Sequence, residues 1–211
     1  MKEYIYTIGF MIITALFFTA GVTYAKLITQ DRIRLNEEVR LEEVILGVLG
    51  IIDRDQPIDA SKVKELFSKR VTQEKVGERS FYAGYSDDEK KELIGYVFPV
   101  GGMGLWSRID GMLALNKELN KIIGIDFYKQ GETPGLGGRI TEKWFKEQFK
   151  GKTLAEGEGK EKYISFVSAE KEPATNEVHA ITGATQTTQG VESFLNADIK
   201  RIKETFTSSW K

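Results

Sequence analysis

From Tyr4 to Ala25 the chain reads YIYTIGFMIITALFFTAGVTYA, an apolar run without one charged residue. As a helix rising about 1.5 Å per residue it spans roughly 33 Å, enough for the ~30 Å hydrocarbon core of a bilayer. Tyr4, Tyr6 and Tyr24 stand near its two ends, where aromatic belts lie. A cleaved signal peptide is the rival reading, since Thr23-Tyr24-Ala25 resembles a cleavage site. The run exceeds the ~7–15 residues of a signal h-region, however, and only Lys2 and the terminal amine precede it as positive charge. A retained anchor is therefore expected. Lys26, Arg32 and Arg34 follow the run and vote for a cytoplasmic downstream side, a weak vote because long domains translocate largely regardless of flanking charge.

Beyond the anchor the pattern changes. Val39, Leu41, Val44, Ile45 and Leu46 are dense among Asn36-Glu37-Glu38 and Glu42-Glu43, so Ile33 to Gly50 reads as a helix continuing from the membrane and packing on something. Asp53 to Pro57 breaks it and opens a second compact region. Asp59 or Ser61 can cap a short helix with Val63, Leu66 and Phe67 on one side. Ser80–Tyr85 and Leu93–Val100 read as strands around a charged turn at Asp87–Lys91. Ile109–Asn116 and Lys121–Tyr128 form a second such pair, turning at Lys117–Asn120. Glu142–Phe149 is a short helix, Lys162–Val167 a strand, and Gln189–Phe206 a closing helix with Val191, Phe194, Leu195, Ile199, Ile202 and Phe206 at helical spacing. Hairpins followed by isolated helices predict an α+β fold: a single N-terminal transmembrane helix, then one soluble domain with a mostly antiparallel sheet and flanking helices. The corresponding segments are 1–25 (anchor), 26–53 (juxtamembrane helix) and 54–211 (soluble domain).

Composition narrows the chemistry. With 41% hydrophobic and 29% charged residues the chain can bury an ordinary core, and a net charge of -1 argues against a general nucleic-acid binder. Cys is absent, which excludes disulfides, thiolate metal sites, iron–sulfur ligation and a Cys nucleophile. His179 is the sole histidine, so no multi-His metal site can form. Any chemistry must come from carboxylates, hydroxyls, backbone amides or an imported cofactor; no catalytic acid–base constellation and no metal site is expected.

Three glycine-rich segments interrupt the elements: Val100-Gly101-Gly102-Met103-Gly104-Leu105-Trp106-Ser107, Gly131-Glu132-Thr133-Pro134-Gly135-Leu136-Gly137-Gly138-Arg139, and Ile181-Thr182-Gly183-Ala184-Thr185-Gln186-Thr187-Thr188. Each alone reads as a turn. None is a dinucleotide fingerprint or a phosphate-binding loop. In the third, Thr187 or Thr188 is a natural N-cap for the closing helix, which sets a cluster of hydroxyls where helix amides favour an anion.

Together the segments resemble the FMN-binding domain family. Thr182-Gly183-Ala184-Thr185-Gln186-Thr187 is similar to its S/T-G-A-T-x-T/S motif, Gly104-Leu105-Trp106-Ser107 to its G-L-W-S element and Glu132-Thr133-Pro134-Gly135-Leu136-Gly137 to its E-T-P-G-L-G element. Within the family the chain most resembles G subunits of Rnf electron-transport complexes; C subunits of sodium-pumping NADH:quinone reductases are related and usually longer. One position departs: His179 stands where the family usually has Asp, three residues before the Ser/Thr of the motif.

The resemblance implies covalent FMN, joined through its phosphate to Thr185 by a separate flavin transferase that uses FAD. It places Thr182, Gly183, Ala184 and Thr188 along the phosphate and ribityl chain, and Trp106, Ser107, Glu132, Thr133, Leu136 and Gly137 around the isoalloxazine. It implies an electron-carrying subunit of a membrane-bound, ion-translocating oxidoreductase of Rnf type, linked to ferredoxin and NAD and not catalytically complete alone. Its partners would be the other subunits of that complex, the transferase and membrane lipid, with the soluble domain on the extracytoplasmic side of the inner membrane. A membrane-anchored extracytoplasmic binding or assembly module without redox function is the alternative.

Overall fold

The computed structural model describes residues 2–54, 56–77, 79–155 and 162–209, with side chains described between 4 and 206. Within the expected break at 53–57, Asp55 lies outside the described residues. The chain opens with α1 (Lys2–Val48), one unbroken helix. By its contacts the chain divides into two compact units, residues 1–40 and 41–211.

The first unit is the body of α1. It is long and apolar enough to cross a membrane, and its most apolar stretch is 0% buried within the protein. Phe10, Phe17, Phe18 and Ile13 are exposed along it. A contiguous apolar surface of this kind is unstable in water, which suits a helix built for lipid.

The second unit is an α+β domain. α2 (Ala60–Arg70) is N-capped by Asp59, whose carboxylate accepts from Ser61 N at 2.8 Å and Ser61 Oγ at 2.6 Å. The strands β1 (Val71–Val76), β2 (Arg79–Tyr85), β3 (Leu93–Met103), β4 (Arg108–Asn116) and β5 (Ile122–Lys129) form an antiparallel meander in chain order. A 3₁₀ turn (Gly137–Thr141), the short α3 (Lys143–Glu147) and a two-stranded parallel pair, β6 (Ser165–Val167) with β7 (Glu177–His179), lead to α4 (Thr185–Ser209).

The antiparallel hairpins stand where the alternation places them; other details differ, among them the strand expected at 162–167, which shortens to Ser165–Val167. β1 is not expected from the sequence, because Thr72, Gln73, Glu74 and Lys75 give an edge strand little apolar signal, and charged edges are how sheets resist mispairing. β7 has only three residues and no periodicity to read. The predicted helix at 142–149 shrinks to 143–147 after the 3₁₀ turn, although Phe145 and Phe149 are both fully buried. β3 runs on through Pro99 to Met103. A proline in an inner strand should cost a ladder bond; here β2 pairs with β3 only as far as Tyr82↔Val97 and has parted from it before Pro99.

The core lies between the sheet and α4. Val191, Phe194, Leu195, Ile199, Ile202 and Phe206 meet Phe81, Phe98, Val100, Ile109, Leu113 and Phe127 in one apolar cluster. Each such side chain contributes at most about 1.5–3 kcal/mol of burial. The end of α1 belongs to this domain: Val44, Ile45, Leu46, Val48 and Leu49 are buried. The backbone of Val48 comes so close to β5 that a Cβ on Gly124 would lie 2.5 Å from its carbonyl oxygen. Nearby, the buried Asp126 accepts from Lys146 Nζ at 3.0 Å and pairs with Arg54.

Candidate functional site

The site is built on the start of α4. After β7 the chain turns, with Ala184 N donating to Ile181 O at 3.0 Å and Gly183 at φ +80°, a conformation a side chain would strain. The helix then begins at Thr185, four residues before the predicted Gln189. Its first i→i−4 bond runs from Thr188 N to Ala184 O at 2.9 Å, so the amides of Thr185, Gln186 and Thr187 precede the ladder. Neither Thr187 nor Thr188 is the N-cap. Ala184 precedes the helix instead, and it has no side-chain acceptor for those amides.

The threonines of the first turn have separate surroundings. Thr188 is 4% exposed, and its Oγ1 accepts from Ile181 N at 3.3 Å. Thr187 is 1% exposed and donates from Oγ1 to Glu132 Oε2 at 2.6 Å. Thr185 is exposed, as are Thr182 and Gly183, while Ala184 is buried. An exposed threonine therefore stands at the positive end of a 25-residue helix, beside amides that precede the helix ladder, an arrangement that favours a phosphate.

Glu132 joins the remaining loops to this turn. Its Oε1 accepts from Trp106 N at 2.9 Å and Ser107 N at 3.2 Å, and its Oε2 from Leu105 N at 3.1 Å as well as from Thr187. Burial raises the cost of its charge, but the Thr187 hydroxyl and the amides of Trp106, Ser107 and Leu105 outweigh it and hold the carboxyl below the usual glutamate range. Ser107 Oγ accepts from Gly131 N at 2.7 Å, and Gly104 N donates to Ser107 O at 2.9 Å, closing the tip between β3 and β4. Thr133 is exposed, and its carbonyl accepts from Leu136 N at 3.1 Å and Gly138 N at 3.0 Å, turning the second loop.

These bonds push apolar side chains outward. Trp106 is 68% exposed, Met103 63%, Leu136 45% and Leu105 44%. A Cβ on Gly183 would lie 3.3 Å from Leu136 Cδ2, so Leu136 borders the turn before Thr185. The sequence-derived site thus divides. Thr185, Thr182, Gly183, Trp106, Thr133 and Leu136 reach the surface, whereas Glu132, Gly137, Ala184 and Thr188 are buried beneath it and Ser107 is half-buried. Sequence reasoning misses Thr187 as a site residue, although the second Thr of the T-x-T ending signals it. It misses Met103 and Leu105 because nothing in a strand end announces exposure. Two cavities, of about 440 and 500 Å³, lie elsewhere in the domain; Thr185, Trp106 and Leu136 line neither.

His179 lies in β7, three residues before Thr182. Its backbone N donates to Gln148 Oε1 at 2.7 Å, and its Nδ1 lies 3.2 Å from Ser168 O, which makes Nδ1 the protonated nitrogen.

The stretch from Gly104 to Lys200, which starts at the G-L-W-S element and closes within α4, matches the FMN-binding domain family model. All three motifs and Thr185 fall inside it. Over 104 residues the chain is 39% identical to the C subunit of the Na(+)-translocating NADH-quinone reductase of Pseudomonas aeruginosa, covering 47% of this chain and 40% of that protein. It is 36% identical over 117 residues to the protein of the same name from Chlamydia muridarum, covering 48% of this chain and 37% of that one. The chain thus spans about two fifths of the length of these relatives. Among solved structures, the corresponding reductase subunit from Parabacteroides distasonis superposes with a TM-score of 0.64 at 25% identity, covering 80% of this chain and 92% of that one. Shewanella oneidensis NqrC shares the fold, with a TM-score of 0.63 at 22% identity over 76% of this chain and 90% of that one.

The residues of this stretch fit the group for which the matching family is named. Amides that precede the helix ladder and an exposed threonine suit a phosphate, and Trp106 and Leu136 offer apolar surface to a flat ring system.

Proposed function

We propose that this chain is an electron-carrying subunit of a membrane-bound, ion-translocating oxidoreductase, working through FMN covalently held at Thr185. The observation that carries the reading is Thr185 itself: the exposed hydroxyl at the start of α4, beside amides that precede the helix ladder, in a turn whose neighbouring threonines at 187 and 188 are buried and bonded. The bound flavin supplies the redox chemistry. The chain's own residues attach it, orient it and shield it. The first-turn amides and Gly183 receive the phosphate, Thr182 and Ala184 flank it, and Trp106 and Leu136 border the ring. Glu132, Ser107, Thr133 and Gly137 shape the loops that present those two side chains, and Thr188 fixes the turn from below.

Support for the assembly comes from the relatives, which are named as subunits of Na(+)-translocating NADH-quinone reductase. The finer assignment, an Rnf-type complex linked to ferredoxin and NAD, rests on the resemblance of the motifs and is read from the subunits that copurify with the chain. A separate flavin transferase is the maturation partner. The exposed apolar body of α1 supports a single-pass inner-membrane protein, and we place the soluble domain on the extracytoplasmic side.

The chain expressed beside a flavin transferase should keep flavin fluorescence on a denaturing gel. Thr185→Ala should abolish that band, while Thr187→Ala and Thr188→Ala should retain it. Fluorescence persisting in the Thr185 variant overturns the attachment site. A wild-type chain that never carries flavin overturns the electron carrier in favour of a binding or assembly module.

A further inference from the structure

We propose that Glu132 is a positioning residue: clasped by Thr187, its carboxylate locks residues 104–107 onto the first turn of α4 and so fixes where Trp106 stands relative to Thr185. The claim about Trp106 and the flavin rests on the electron-carrier reading; the clasp itself does not.

Three successive amides, of Leu105, Trp106 and Ser107, converge on this one carboxylate. Consecutive amides aimed at a point form a nest for an anion. In this chain the nest is filled from within, by a glutamate 5% exposed whose two oxygens each take two donors. A buried carboxylate is tolerated only when so satisfied, and bonds to a charged acceptor are the stronger kind.

The surroundings leave no slack. A Cβ on Gly104 would lie 2.7 Å from Glu132 Oε1, and a Cβ on Gly137 would lie 2.4 Å from Thr187 Oγ1. Each of the three motifs therefore gives one part of a single device: the amides of G-L-W-S, the carboxylate that opens E-T-P-G-L-G and the hydroxyl that closes T-G-A-T-x-T. This accounts for a hydroxyl two residues after Thr185 that is buried and so is no attachment point. It also accounts for Trp106, which is mostly exposed yet sits on a loop whose backbone is bonded to the core.

The test uses the full chain in detergent, expressed beside a flavin transferase, as wild type, Thr187→Val, Thr187→Ser and Glu132→Gln. Two quantities are read: amide hydrogen exchange at 105–107, and the flavin's midpoint potential with its fluorescence yield. Loss of the Thr187 bond in Thr187→Val should speed exchange at 105–107 by roughly tenfold, as expected for one charge-assisted hydrogen bond. It should also shift the potential and yield, with flavin still attached. Thr187→Ser, which keeps the hydroxyl, should match the wild type in both. Glu132→Gln should exchange at least as fast as Thr187→Val; if it fails to fold, the Thr187 pair decides. Wild-type exchange in Thr187→Val, or equal acceleration in Thr187→Ser, overturns the clasp. Faster exchange with unchanged flavin properties overturns its role in placing Trp106. If the wild type carries no flavin, the electron-carrier reading falls while the exchange measurement still decides the clasp.

Discussion

Thr185, Thr187 and Thr188 occupy one turn of α4 in different surroundings: Thr185 is exposed, the Thr187 hydroxyl donates to Glu132, and the Thr188 hydroxyl accepts from the Ile181 amide. Resemblance to the motif singles out Thr185 as the proposed attachment residue, but which hydroxyls are bonded inside the fold depends on partners 55 and 7 residues away along the chain. Glu132 shows the same limit. As a glutamate in a Pro-Gly turn it reads as a solvated charge or as a border of the flavin, and only the fold reveals it as an internal anion. His179 carries the residue-scale prediction. Its ring is engaged with Ser168 O and its amide with Gln148, so the position contributes to the β6–β7 region through contacts that leave the Gly183-Ala184 turn intact. Wild type should accept flavin, and His179→Asp should not raise the in-gel fluorescence. An unmodified wild type beside a modified His179→Asp would show instead that the imidazole blocks the transferase.

Along the elements, the apolar face of α4 is plain from spacing, but its first turn reads as a cap because Thr-rich segments compete with helix unless their hydroxyls find partners. Here tertiary bonds satisfy them, and the helix starts early. The same closeness governs Gly190. A glycine inside a helix ordinarily loses to alanine by about 1 kcal/mol, so Gly190→Ala would stabilise an isolated helix. In the fold a Cβ there would lie 2.5 Å from Met103 O and 3.3 Å from Gly104 Cα, backbone atoms that cannot swing aside. Overpacking of this kind costs about 1–3 kcal/mol and should win. Urea unfolding of Gly190→Ala should show a net loss of stability; a gain would mean that the loop at 103–104 gives way freely.

For the whole molecule, the second compact unit begins at Leu41, inside α1. Val44, Ile45, Leu46 and Val48 in the last turns of α1, and Leu49 just after it, are buried in the domain. Each is worth at most about 1.5–3 kcal/mol of burial, which together rivals the ~5–15 kcal/mol stability of a typical domain. A chain beginning at residue 41 should unfold cooperatively, and one beginning at residue 54 should be aggregation-prone or melt far lower. Equal melting temperatures would show that the end of α1 is dispensable. Sidedness is tested separately. A reporter fused after Lys211 should behave as extracytoplasmic, and cytoplasmic activity in intact cells would reverse the placement.

By itself the sequence determined the long apolar N-terminal helix, the antiparallel hairpins, the apolar face of α4 and the three motifs. Each is encoded locally, by an uncharged run, by alternation, by helical spacing or by residue identity in order. Only the tertiary structure decided that Glu132 is an internal partner, that Thr187 is buried and bonded while Thr185 is exposed, and that Trp106 and Leu136 face outward. It alone decided that the end of α1 is core. Those properties arise between residues far apart in the chain, where burial and hydrogen-bond satisfaction are settled by packing.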